Sequence, residues 1–359
     1  MNMKNNRILG QYRDNKENFE QLGDIVQEIL EQLVKKAGIR VMTVEHRVKK
    51  EKSLEGKLYR KGDRYESLED ITDILGTRVV CYFADDVDVI GGMVEQNFVV
   101  DRDNSVDKRK MLQADSFGYL SLHYVCSLPA DAGYPPEVCG RRFEIQIRTI
   151  LQHVWDAVNH DMGYKGDFGM PRAVTRQFAR LAGLFEIIDE EFMRVRDNMN
   201  TYTEQTREKI IHDGAEDVLI DIVSLKEYML RNRRMRAFLQ KVADIEHSEI
   251  YRVNPENYLL QLKWLQINTI GDLQRMLEEN EELALKIARD ALGGTELDII
   301  SSNVALRFLC RARLVSGGYS EQQAAEFFAL TIGNEERARR QAKQLYQTYD
   351  AGGLEKKGS

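Results

Sequence analysis

The chain of 359 residues has little of what marks several common protein classes. Its four cysteines, Cys81, Cys126, Cys139 and Cys310, are scattered. They lack the close pairs of a zinc site and give no sign of an oxidising compartment, so they read as buried free thiols. No run of about 18 consecutive apolar residues occurs, and Met1 to Gly10 has no long apolar stretch behind its basic residues. Neither a membrane span nor an export signal is expected, and the expected location is cytoplasmic. Proline is scarce, five residues in all, which favours helices with short connections. A basic excess is also absent. The formal net charge of -7 argues against a general nucleic-acid coat, so any polyanion must be held by a local basic patch. What is present, 43% hydrophobic and 30% charged residues, suffices for a sizeable core and, at this length, for two or three domains.

The most informative stretch is Arg142-Phe143-Glu144-Ile145-Gln146-Ile147-Arg148-Thr149. Its period of two places a carboxylate, an amide and a guanidinium (Glu144, Gln146 and Arg148) on one face of a strand, with Phe143, Ile145 and Ile147 on the other. Two readings are open: a half-solvated edge strand whose polar face is wet, or a site.

Upstream, Phe19, Leu22, Ile25, Val26, Ile29, Leu30, Leu33 and Val34 recur at helical spacing, and Gly38 is expected to stop that helix. Ile39 to Val48 reads as a strand, with Arg47 and Lys49 on the same side. Seven cations, from Lys49 to Arg64, then crowd together as a solvated helix face or a phosphate-binding patch. Ser67 and Asp70 suggest a reciprocal cap that opens a short helix running through Ile71 and Ile74 to Gly76. Asp73 is expected at the exit of that helix and Arg78 at the entry of the buried strand Thr77 to Phe83. A helix over Asp86 to Gln96 and a strand at Phe98 to Val100 indicate an α/β or α+β layer.

From Phe117 to Val125, alternation groups Tyr119, Ser121 and His123, which suits either a wet edge or a face that stacks a base and holds its sugar or phosphates. Thr149 to Tyr164 reads as a helix with an apolar stripe of Ile150, Leu151, Val154, Trp155, Val158 and Met162. Gln152, His153, Asp156, Asn159 and His160 lie off it. The dipeptide His160-Asp161 is too short to indicate a metal phosphohydrolase.

Together, Arg47-x-Lys49 with Ser53 and Lys57, Asp73-x-x-Gly76-x-Arg78, Gly118-Tyr119-x-Ser121-x-His123, Glu144-x-Gln146-Ile147-Arg148-Thr149, and His160 with Tyr164-Lys165 resemble the synthetase domain of the RelA/SpoT family in order and spacing. The resemblance implies an α+β fold: a nucleotidyltransferase-like mixed β-sheet flanked by helices. It implies a GTP pyrophosphokinase that moves the β,γ-pyrophosphate of ATP to the 3'-hydroxyl of GDP or GTP, making the alarmone (p)ppGpp of the stringent response. On it, Asp73 and Glu144 would be the catalytic residues and would hold Mg2+. Arg47 and Arg78 would flank the adenine, with Lys49, Ser53 and Lys57 near the ATP phosphates. Tyr119 would stack on the acceptor guanine, and His123, Gln146, Arg148 and Lys165 would complete the GDP/GTP site. Mg2+ suits such a site because it prefers hard oxygen ligands and keeps substrate phosphates in its shell. Only some forty residues stand before Arg47, so synthesis without degradation is expected.

Residues 1–170 are thus expected to form the synthetase domain and 171–350 an all-α C-terminal region of unknown role, with helices near 174–202, 215–243, 256–292 and 296–347. These helical regions allow homo-oligomerisation. The basic run Arg231 to Arg236 reads as a solvated helix end or as an RNA or phosphate contact. Two alternatives to alarmone synthesis follow from the same resemblance. One is a toxic relative that pyrophosphorylates the 3' end of tRNA. The other is a catalytically idle nucleotide-binding regulator, against which the intact Asp73 and Glu144 argue.

Overall fold

The computed structural model describes residues 3–61, 64–111, 121–130, 133–161, 171–212 and 214–349, with the backbone alone at 110, 111, 160 and 161. The chain divides into two compact units, Met1–Asp197 and Asn198–Ser359.

The first unit is a five-stranded mixed sheet with helices on it. Its strands are β1 (Val41–Val48), β2 (Leu75–Cys81), β3 (Val99–Asp107), β4 (Leu122–Ser127) and β5 (Phe143–Thr149). They lie in the order β1-β2-β5-β4-β3. Only β2 and β5 run parallel; the other neighbours are antiparallel. The excursion between β2 and β5 holds α3 (Ala84–Asn97), β3 and β4.

The alternation of β5 divides the sheet into an apolar and a polar face, as its sequence indicates. Phe143, Ile145 and Ile147 are fully buried with Leu75 and Val79 of β2, and with Val87, Ile90 and Val94 of α3. Removing each such side chain from water contributes about 1.5–3 kcal/mol. Long α1 (Met3–Lys36) adds Leu22, Val26 and Leu30 to the same core. Its approach to β1 depends on Gly23, where a Cβ would stand 2.3 Å from the His46 ring. Gly38 ends α1 at φ +70, and the Ile39 amide donates back to the Val34 carbonyl, the left-handed stop that glycine makes at little cost.

Two local expectations need correction. Ser67 and Asp70 do form their reciprocal cap, but it closes only a single 3-10 turn, Leu68–Asp70. The Asp70 carboxylate accepts from the Glu66 and Ser67 amides, and the chain then turns directly into β2. Asp73 therefore sits in that turn, Gly76 lies inside β2, and Arg78 is mid-strand. The second correction concerns α4 (Ile150–Asp161), whose stripe is not uniformly inward. Val154 and Val158 are exposed, while polar Gln152 is buried because its side chain accepts from the Thr149 amide. Met162 lies outside the described residues.

Helix α5 (Arg172–Ile211) contains the boundary between the units. The second unit is helical as expected: α6 (Ile222–Arg231), α7 (Arg233–Ala243), α8 (Tyr258–Trp264), α9 (Ile270–Leu292), α10 (Val304–Ser316), α11 (Glu321–Ala329) and α12 (Glu335–Thr348). It also contains a two-stranded parallel sheet, β6 (Glu249–Tyr251) with β7 (Ile299–Ser301), which the helical pattern hides because three residues are too few to set a period. Within the basic run, Arg231 pairs with Glu227, and Arg234 with Glu278 and Glu281.

Candidate active site

Strand register builds the site. Glu45 lies opposite Arg78, and Arg47 opposite Gly76. Gly76 in turn pairs with Glu144, and Arg78 with Gln146. Gln146 faces His123 on β4. Since in-register residues share a face, Arg47, Arg78, Glu144, Gln146, Arg148 and His123 all belong to the polar side of the sheet. This decides between the two readings of β5. It is an interior strand with neighbours on both sides, so its polar face is not that of a wet edge.

A chain of hydrogen bonds fixes these groups. Arg148 donates to Gln146 Oε1, which orients the amide so that Gln146 Nε2 donates to Glu144 Oε2 at 2.9 Å. His123 Nδ1 is 2.6 Å from Glu144 Oε1, and Ser121 Oγ is 2.7 Å from His123 Nε2. The consistent tautomer carries the imidazole proton on Nδ1, donates it to Glu144 and accepts from the serine hydroxyl. Lys108 Nζ, 3.2 Å from the same Nε2, adds a positive charge nearby. Burial by itself pushes the Glu144 carboxyl up, but hydrogen bonds from His123 and Gln146 hold it below its ordinary value, while the nearby charge of Asp73 works against them.

Asp73 reaches the same region from the turn before β2. Lys57 of α2 (Glu51–Lys61) donates to its Oδ1 at 2.6 Å, and Lys49 lies 3.1 Å from its Oδ2. Burial raises this carboxyl too, yet the two lysines bring it below the usual range. Tyr12 of α1 donates to the Lys49 carbonyl at 2.6 Å, which pins the end of β1 from which Lys49 projects.

The remaining candidates differ in exposure. Ser53 is exposed one helical turn before Lys57. Arg47 is exposed and lines a cavity of about 590 Å³ with Tyr12, Lys16 and Asp24, which no other described candidate residue borders. Arg78 donates to Glu45 at 2.8 Å. Arg148 is only 2% exposed and donates to Asp156 of α4 at 2.8 Å, so much of it braces the strand. Tyr119 and Lys165 lie outside the described residues, as do Gly118 and Tyr164, and the His160 side chain is likewise outside them.

Sequence reasoning missed the partners Glu45, Lys108 and Asp156. Only Glu45 had a readable signal, its period-two spacing with Arg47; the other two are brought in by tertiary packing. It also gave no role to His153, whose buried Nδ1 has no hydrogen-bond partner among the described residues, as is true of Nε in both Arg78 and Arg148. Burial and these two guanidiniums depress the His153 pKa.

The arrangement offers two converging carboxylates, a cationic clamp on one of them and a hydrogen-bonded support under the other. Among the described residues there is no cluster of three or more acidic, histidine or cysteine ligands that would cage a metal alone. Two carboxylates fit Mg2+, which takes few protein ligands when phosphate oxygens complete its shell.

Comparison with known proteins identifies the family of this part of the chain. Residues 46–168 match the region found in RelA / SpoT proteins. GTP pyrophosphokinase YjbM of Bacillus subtilis (strain 168) is 30% identical over 156 residues, 42% of this chain and 69% of that one. GTP pyrophosphokinase YwaC of the same organism is 30% identical over 161 residues, 43% of this chain and 74% of that one. Among solved structures, small alarmone synthetase 2 from Bacillus subtilis is 23% identical and covers 52% of this chain and 98% of that one, with a TM-score of 0.45. The chain belongs to the RelA/SpoT family. No helix among the described residues is long and apolar enough to cross a membrane.

Proposed function

We propose that the chain is an ATP:GTP 3'-diphosphotransferase that moves the β,γ-pyrophosphate of ATP to the 3'-hydroxyl of GDP or GTP, making (p)ppGpp. The observation that carries this reading is the Glu144 carboxylate, held from two sides by His123 and Gln146 on the sheet face that also receives lysine-clamped Asp73. Transfer of this kind asks for positioning and charge neutralisation more than covalent help from the protein.

In the proposed reaction the acceptor 3'-oxygen bonds to the β-phosphorus, the bond from that phosphorus to the α,β-bridging oxygen breaks, and AMP leaves. Glu144 accepts the hydroxyl proton. Lys49 and Lys57, which share the single Asp73 carboxylate, are placed to meet ATP phosphates beside Ser53. Arg47 and Arg78, on adjacent strands, would flank the adenine, and His123, Gln146 and Arg148 would form the acceptor side. Asp73 and Glu144 would hold Mg2+, which when bound neutralises charge on the transferring phosphates.

The test is incubation of the protein and Mg2+ with γ-labelled ATP against GMP, GDP, GTP, ADP and deacylated tRNA in parallel. Label in guanosine tetra- or pentaphosphate is expected. Label on tRNA alone, or on no acceptor, overturns the reading.

A further inference from the structure

Helix α10 in the second unit carries Arg307 and Arg311 four residues apart and hence on one face, where like charges repel. The described residues supply no counter-charge to either guanidinium. Arg311 Nη2 donates to Gln341 Oε1 of α12 at 3.1 Å, a neutral partner. Its guanidinium also lies 5.6 Å from the Phe328 ring centroid and 6.0 Å from that of Phe308, and Arg307 lies 5.7 Å from Phe308. Rings of this kind hold a cation without cancelling its charge. Arg311 Nε is buried with no hydrogen-bond partner among the described residues. Among the described residues, neither arginine forms an ion pair, although the neighbouring Arg313 reaches Glu279 at 3.5 Å.

Tyr258, at the start of α8, stands within electrostatic reach of both guanidiniums. Burial and the charge of Arg307 push Arg311 down to about 10, the direction expected of a cation whose anion is missing. Tyr258, Arg311 and Gln341 are half-buried and Arg307 is exposed, so the set is not sealed from solvent.

We infer that Arg307, Arg311, Tyr258 and Gln341 form a binding site for a phosphate group, free or carried on a small molecule. The chemistry of the set selects this class. Two guanidiniums match a dianion in charge, whereas one carboxylate would neutralise only one of them. The phenol hydroxyl and the Gln341 amide, whose oxygen already accepts from Arg311, can add donors for an oxygen-only ligand. Guanidinium forks also suit phosphate geometry. The site lies wholly within the second unit and does not depend on the proposed activity.

The test is hydrogen-exchange mass spectrometry of the full chain with inorganic phosphate, with GTP, and with chloride at matched ionic strength. Phosphate or GTP should slow exchange in 304–316 and 335–348, and chloride should not. Stronger protection by GTP at equal concentration would identify a nucleotide as the source of the phosphate; equal protection would point to the free anion. Arg307→Gln, at an exposed position, should weaken the effect about ten-fold or more, as expected for loss of a charge-assisted hydrogen bond. Arg307→Gln/Arg311→Gln should abolish it. Absence of protection with both phosphate probes, equal protection by chloride, or undiminished protection in Arg307→Gln overturns the inference.

Discussion

His123 faces Gln146 in register, yet its ring reaches diagonally to place Nδ1 2.6 Å from Glu144 Oε1. One imidazole thereby orients the carboxylate of an adjacent strand and leaves its other nitrogen to Ser121. Glu144 is held in one rotamer before substrate arrives, so less ordering remains to be done during reaction.

Glu144→Gln keeps the shape of the side chain and removes its charge and basicity. Transfer from labelled ATP should fall by at least ~10²-fold, the lower end for loss of a positioned base. GDP affinity, measured by calorimetry, should change little. Turnover near the wild-type rate would remove Glu144 from its proposed role.

Chelation should abolish transfer and added Mg2+ should restore it. Asp73→Asn should raise the Mg2+ concentration needed for half-maximal rate, because one of two anionic ligands is lost. An Asp73→Asn enzyme with an unchanged Mg2+ titration would show that this carboxylate serves only to hold Lys49 and Lys57.

Gly76 lies on the site face between Arg47 and Glu144, and a Cβ added there meets no atom within 4 Å. Gly76→Val should therefore leave the denaturation midpoint unchanged or slightly raised, since strands favour β-branched residues. The same methyl groups would fill space that a nucleotide needs, and transfer should collapse. A fully active Gly76→Val protein would place the substrates elsewhere.

Asp189 of α5 accepts from Thr149 Oγ1 at 2.8 Å, just beyond the polar run of β5. Burial raises its pKa from 3.8 to about 7. A carboxyl group shifted upward favours the fold fully below its unfolded pKa and loses that contribution as pH rises through the folded value. Between pH 4 and 7 the fold should thus lose stability through this group, and Asp189→Asn should escape that loss. The melting-temperature difference between variant and wild type should grow in favour of the variant from pH 5 to pH 8; a constant difference would contradict the assignment.

In the second unit, a Cβ on Gly271 would stand 2.7 Å from the Glu216 carbonyl oxygen. Backbone cannot swing aside as a side chain can, so Gly271→Ala should destabilise this unit by about 1–3 kcal/mol. Faster hydrogen exchange over 270–292 would report it.

The elements most legible in the sequence were those fixed by local periodicity. The alternation of β5 gave both its buried and its polar residues, and the apolar spacing from Phe19 to Val34 with Gly38 gave the second half of α1 and its stop. The turn after Ser67 reads as a helix because Ile71 and Ile74, both buried, have a spacing of three that a turn satisfies as well as a helix. The stripe of α4 failed for another reason: Gln152 is drawn inward by a hydrogen bond to Thr149 that no hydrophobicity pattern encodes. Pairs such as Arg148 with Asp156 and Thr149 with Asp189 depend on helices folding back over the sheet. The motifs marked Glu144, Gln146 and His123 as site residues, but only the sheet order shows that they support one another.

The sheet order β1-β2-β5-β4-β3 has a temporal meaning. Its last strand to be synthesised lies in the middle, so the halves built from β1 with β2 and from β3 with β4 have no shared edge until β5 enters between them. Such long-range closure is slow compared with local hairpins and helices. A growing chain that ends at β4 already carries the lysines and Asp73 but lacks Glu144. Insertion of the central strand completes the sheet and brings the second carboxylate to the first, so on the proposed assignment turnover would begin only once the sheet is complete.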